Sequence, residues 1–90
     1  MHPEVTPCND VASSKTNTLY STSYDEIVAV LGKPNIADDF FKVEHSWGFT
    51  YKGHKMAIWD WKGSWLSGQW STFGPTELIR ELFPNKDVRW

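Results

Sequence analysis

An α+β fold is predicted by two apolar stripes at helical spacing, which bracket a run of alternating, aromatic-rich sequence punctuated by turn residues. The expected order is a helix, a three-strand antiparallel meander and a C-terminal helix packed on one face of the sheet. Ser23 and Glu26 set the first helix. Their S-x-x-E spacing lets each side chain take the backbone N–H of the other. Tyr24, Ile27, Val28 and Leu31 then form one stripe, Gly32 suits a positive-φ terminus, and Pro34 forbids a further turn.

The next segment, NIADDFF, reads as a loop centred on Asp38 and Asp39. In KVEHSWGFT, Val43, His45, Trp47 and Phe49 alternate with Lys42, Glu44, Ser46 and Gly48, which predicts a strand with one buried face. Tyr51 to His54 forms a hairpin turn, with Gly53 able to take positive φ. In KMAIWDW, Met56, Ile58 and Asp60 point one way and Ala57, Trp59 and Trp61 the other. Bulk on both sides predicts that both faces of this strand are covered. Lys62-Gly63-Ser64 opens a turn, and Gln69 to Phe73 supplies a third strand. The second helix follows, with Gly74 or Thr76 as cap, Pro75 in its first position and Pro84 ending it. Leu78, Ile79 and Leu82 give it an apolar side, while Glu77 and Arg80 form an i, i+3 pair toward solvent.

Residues 1–18 are rich in Ser, Thr, Asn and Pro without an apolar period, so they are expected to be a disordered leader to a single small domain over 19–90. So short a domain sits near the size at which burial only just offsets chain entropy. Cys8 is the only cysteine, so no internal disulfide reinforces the fold. Fourteen aromatic residues, six of them Trp, must serve instead. A net charge of −2, from nine basic and eleven acidic residues, argues against duplex DNA as partner. No apolar run is long enough for a membrane span, and MHPEVTPCND lacks the features of a signal peptide. A lone cysteine without an export signal fits the cytoplasm.

The runs SYDEIVAVLGKP, KVEHSWGF, MAIWDWKG and QWSTFGPTELIRELF together resemble a group of small bacteriophage-encoded proteins. Those share a Y-x-E-[LI]-V-x-x-[LF]-G-x-P helix, a hairpin carrying an aromatic-[ND]-aromatic-K run, and a Trp-containing segment before a last helix. The matching elements are Tyr24 to Pro34, Trp59-Asp60-Trp61-Lys62, and Trp70 to Phe83, within residues 20–84. The resemblance implies a phage accessory protein acting on host machinery or host defence, and it carries no catalytic residues. The helix pattern also looks like the unit of BamE-like and β-lactamase-inhibitor-like folds, an analogy of fold alone.

The candidate recognition residues are Trp59, Asp60, Trp61, Lys62, Trp65, Trp70 and His45. Any single indole in a small domain is most simply explained as core. The rings nevertheless outnumber the places that one face of a three-strand sheet provides, so some are expected to meet a partner or ligand. Asp60 is expected to be a structural acceptor, tied to a turn amide or to Lys62, or else to orient a ligand at the aromatic edge. His45 is expected to be buried with its ring hydrogen-bonded. His2, Cys8, His45 and His54 lack zinc spacing, no glycine-rich phosphate loop is present, and no cofactor is expected. The leading expectation is a non-enzymatic inhibitor or adaptor that docks on a host protein. The alternative is a binder of a nucleotide-like or signalling molecule, with Lys62 or Lys55 on its phosphate. An enzyme would need His45 and Asp60 to meet in an open cleft. A homodimer is compatible with each of these.

Overall fold

A computed structural model describes residues 1–11, 14–36 and 43–90, so the loop expected around Asp38 and Asp39 lies outside the described residues. The elements run β1 (Val5–Pro7), β2 (Asn17–Leu19), α1 (Tyr24–Leu31), β3 (Ser46–Tyr51), β4 (His54–Trp59), β5 (Trp70–Phe73), α2 (Thr76–Leu82) and β6 (Val88–Arg89). The class is α+β, but the sheet has six strands rather than three, in the order β1-β3-β4-β5-β2-β6. Its strand pairs are antiparallel.

The extra strands come from the expected leader and from the tail. β1 pairs with β3, Val5 opposite Tyr51, and β2 joins β5 to β6. From composition, residues 1–18 are expected to be a disordered leader, unable to bury enough surface by themselves. Instead Val5–Pro7 and Asn17–Leu19 pair with β3 and β5, which each offer an edge whose N–H and C=O groups need partners. Beyond the strands, Cys8 N donates to Gly48 O at 2.9 Å and Thr16 N to Thr72 O at 2.7 Å. Val5–Pro7 and Asn17–Leu19 are therefore part of the sheet.

The β3–β4 hairpin turns through Lys52 and Gly53, both at positive φ (50° and 80°). That pair of left-handed residues matches the right-handed twist of the flanking strands. Register then sorts the side chains. Trp47 faces Ile58, Phe49 faces Met56 and Leu19 faces Trp70, all on one side of the sheet. These residues join Ile27 and Leu31 of α1 and Ile79 and Leu82 of α2 in one apolar core. Trp70 and Trp47 meet edge to face with centroids 5.3 Å apart. Each indole N–H finds a carbonyl, Trp47 on Gly32 at 2.8 Å and Trp70 on Thr22 at 2.7 Å, so the core accepts both polar groups.

The other side of the sheet is closed over its β3 half. A side chain at Gly48 would collide with the Cys8 carbonyl and approach Ile36 and Val11 to 2.7 and 2.8 Å. Glycine is what lets the N-terminal segment lie flat there. Ala57 and Trp59 are buried on this side and Met56 and Ile58 on the other, whereas Trp61, expected on the same face as Ala57 and Trp59, is 46 % exposed.

Both helices form close to where they were expected. Ser23 and Glu26 make the reciprocal capping box, and Gly32 ends α1 at φ 80°. In α2 the cap is Pro75, without a side-chain cap bond, rather than Gly74 or Thr76. Arg80 does not pair with Glu77. Its guanidinium donates to the Val88 carbonyl at 2.8 Å and so ties α2 to β6. Among the described residues no helix is long and apolar enough to cross a membrane.

Candidate recognition surface

The outer face of the sheet, on the side away from the Trp47–Trp70 core, carries a row of side chains set by register. Arg89 lies opposite Thr18, Thr18 opposite Ser71, and Ser71 opposite Trp59, across β6, β2, β5 and β4. With period-two alternation, these four share one face. An open groove of about 480 Å³ runs there, lined by Lys15, Thr18, Tyr20, Trp59, Trp61, Ser64, Gln69, Trp70 and Ser71. Trp61, 46 % exposed, carries the largest accessible ring among these, whereas Trp59 is 8 % exposed and Trp70 fully buried.

Trp61 belongs to the loop that joins β4 to β5, and the loop is closed on itself. The Ser64 hydroxyl accepts from Trp61 N at 3.0 Å and donates to Gln69 O at 2.7 Å. Ser64 N donates back to Trp61 O, and Gln69 N to Ser64 O, each at 3.1 Å. Gly63 and Gly68 take left-handed conformations at either end of the 3-10 turn over Ser64–Ser67. Leu66 at the apex is 77 % exposed. The Lys62 ammonium sits 5.9 Å from the centre of the Trp61 ring, within cation–π range.

On the other flank of this loop is a second cleft, lined by Ser23, Tyr24, Asp25, His45, Trp65 and Leu66. Asp60 stands behind it, fully buried. Its Oδ1 accepts from the backbone N–H of Glu44 at 2.8 Å and of His45 at 3.0 Å, and its Oδ2 lies 3.3 Å from His45 Nδ1. Asp60 N also donates to the His45 carbonyl at 3.1 Å. Asp60 is therefore a structural acceptor, as expected, though its partners are these amides and the imidazole rather than Lys62. The same bonds explain why β3 starts only at Ser46, after Glu44 and His45: the amides of those two residues turn toward the carboxylate instead of a neighbouring strand.

His45 is correspondingly half-buried and outside the strand, between Tyr24 and Trp65, each 4.9 Å away by ring centroid. Glu44, His45 and Asp60 bring possible metal-binding atoms within 4.8 Å of one another. Glu44 Oε2 accepts from the Trp65 indole at 3.1 Å, and Asp60 Oδ1 accepts from two backbone amides. The Ser23 hydroxyl in the same cleft accepts from Glu26 N at 3.2 Å as the helix cap. Among the described residues no hydroxyl or thiol hydrogen-bonds the His45 ring.

The structure thus divides the sequence-predicted residues between two flanks of one loop. Trp59, Trp61 and Trp70 border the groove, Trp70 as buried support. His45 and Trp65 line the cleft, with Asp60 beneath. Lys62 lies beside Trp61 but does not line the groove. Sequence reasoning missed Lys15, Thr18, Tyr20, Gln69 and Ser71. The first two were assigned to the leader, and the alternation of Thr18 with Asn17 and Leu19 is too short to stand out. Glu44 was missed because its role depends on a partner sixteen residues away. No protein-family model, curated protein or solved structure matches the chain.

Proposed function

We propose that this domain works by binding, and that it docks on a partner protein through the β4–β5 loop. One observation carries the reading: a loop closed by its own hydrogen bonds holds Trp61 and Leu66 out in solvent. Exposed apolar groups on a rigid turn lose little conformational entropy when they are buried, which is how anchor residues come to dominate an interface. The likeness to phage-encoded accessory proteins makes a host protein the expected class of partner. Immobilised protein should retain a stoichiometric host protein from bacterial lysate, and the double variant Trp61→Ser, Leu66→Ser should release it while keeping its circular dichroism. Equal capture by both forms, or none by either, would overturn the reading.

A second reading is favoured by the approach of His45 to Asp60 beside an open cleft. A carboxylate on Nδ1 fixes the imidazole and leaves Nε2 to take or give a proton, as in acid–base catalysis. What this arrangement lacks among the described residues is a hydroxyl or thiol bonded to His45. A panel of chromogenic ester and phosphodiester substrates tests it. Turnover that disappears in His45→Gln supports catalysis, and turnover equal to that of His45→Gln rules it out.

A further inference from the structure

We infer that the groove on the outer face, which shares Trp61 with the docking loop but not Leu66, is a ligand site in its own right, and that it takes a free mononucleotide, with the base against Tyr20 and Trp61 and the phosphate at Lys15. Charge is the first reason. The chain has more acidic than basic residues, yet among the described residues the groove lining holds a lysine and no carboxylate. Among the described residues Lys15 enters no ion pair, and its ammonium lies 5.5 Å from the centre of the Trp90 ring. An anion can reach it without displacing a bound carboxylate.

The polar groups of the groove point the same way. Thr18 and Ser71 stand directly opposite each other in the sheet, 6 % and 9 % exposed. Neither hydroxyl bonds to another described residue. Both residues line the groove, so their hydroxyls are open to a ligand there. The exposed Gln69 side chain also makes no internal hydrogen bond, and its amide offers both donors and an acceptor to a base edge. Aromatic walls supply the remaining element, since a base stacks on Trp or Tyr whatever its identity. Arg89 stacks on the Tyr20 ring with its guanidinium 4.4 Å from the ring centre, but it is already paired with Asp87 at 2.6 Å, so Lys15 is left as the cation for the phosphate.

Size and charge layout favour a free nucleotide over a single strand. A groove of about 480 Å³ falls in the range of small-molecule sites. A strand would need cations spaced along a track, whereas among the described residues Lys15 is the single cation in the lining. The site differs from the nucleotide binder expected from sequence, which used Lys62 or Lys55. Lys55 pairs with Asp10 at 2.8 Å, and neither residue lines the groove.

Titration of ¹⁵N-labelled protein with AMP, GMP, CMP and UMP tests the assignment through the indole N–H resonances. At least one nucleotide should shift the Trp59 and Trp61 signals saturably and leave that of Trp47, bonded to the Gly32 carbonyl, in place. Lys15→Gln, at an exposed position, should weaken binding about tenfold, the scale of one charge-assisted hydrogen bond. Trp61→Ala should weaken it by about the same factor through lost stacking. The assignment is overturned by an absence of shifts, by inorganic phosphate producing the same shifts, by Lys15→Gln binding unchanged, or by a ten-residue oligothymidylate binding more tightly per nucleotide than any mononucleotide. Leu66→Ser should leave the titration unaltered, so failure here and failure of protein docking are read separately.

Discussion

The two faces of this sheet obey the same alternation and end in opposite conditions. On the inner face Trp47, Trp70, Met56 and Ile58 are enclosed beside residues of both helices, and even their indole N–H groups are bonded. The outer face is closed at one half, where Gly48 lets residues 8–11 lie against it, and open at the other, where Thr18, Ser71 and Trp59 border the groove. Where a segment crosses the sheet, small residues such as Gly48 and Ala57 sit below it. Where hydroxyls and indoles stand instead, the surface stays available. Side-chain period therefore fixes which residues share a face, but the path of the chain decides whether that face is core or site.

Substitutions should separate the two faces by the size of their effects. Trp70→Ala removes a fully buried indole and its bond to Thr22, and should cost about 3–5 kcal/mol in urea denaturation. A loss below about 1 kcal/mol would mean that the inner face is not packed as described. Asp60→Ala strands two amides and an imidazole, and should cost about 2–3 kcal/mol by the same measurement. Gly48→Ala forces the N-terminal segment off the closed half of the outer face. About 2 kcal/mol is expected, together with faster hydrogen exchange at the Cys8 amide, now bonded to the Gly48 carbonyl. Leu66→Ser should change stability by less than about 0.5 kcal/mol, because the side chain is already in solvent.

The smallest effect concerns pH. Glu81 accepts from the Lys52 ammonium and the Tyr51 hydroxyl, which together hold its carboxyl below the ordinary value of 4.5. A group depressed in the folded state adds stability above its unfolded pKa and loses it as pH falls through the lower folded value. The contribution should therefore be constant above about pH 5 and fade below pH 4.5, and Lys52→Ala should flatten that part of the profile. Both partners are solvent-exposed, so the change is a slope rather than a transition.

How legible this was in the sequence depended on whether the signal was local. The capping box of Ser23 and Glu26, the Lys52-Gly53 turn and the stripe Leu78-Ile79-Leu82 lie within a few residues of one another, and each could be read directly. The strands at Val5–Pro7, Asn17–Leu19 and Val88–Arg89 could not, since two or three residues carry no period and their stability comes from partners up to some seventy residues away. The site was half legible for the same reason. Trp59, Trp61, Trp65 and His45 announce themselves by residue type. Which of them meet, and that Lys15 and Thr18 join the groove, follows from a strand order that composition does not encode.

Limited oxidation of the native protein with N-bromosuccinimide, followed by peptide mapping, tests most directly whether the β4–β5 loop presents its indole outward. Trp61 and Trp90, 46 % and 74 % exposed, should be oxidised first, while Trp47 and Trp70 stay intact until the protein unfolds. Protection of Trp61 equal to that of Trp70 would contradict the account and leave the domain without an aromatic anchor on that loop.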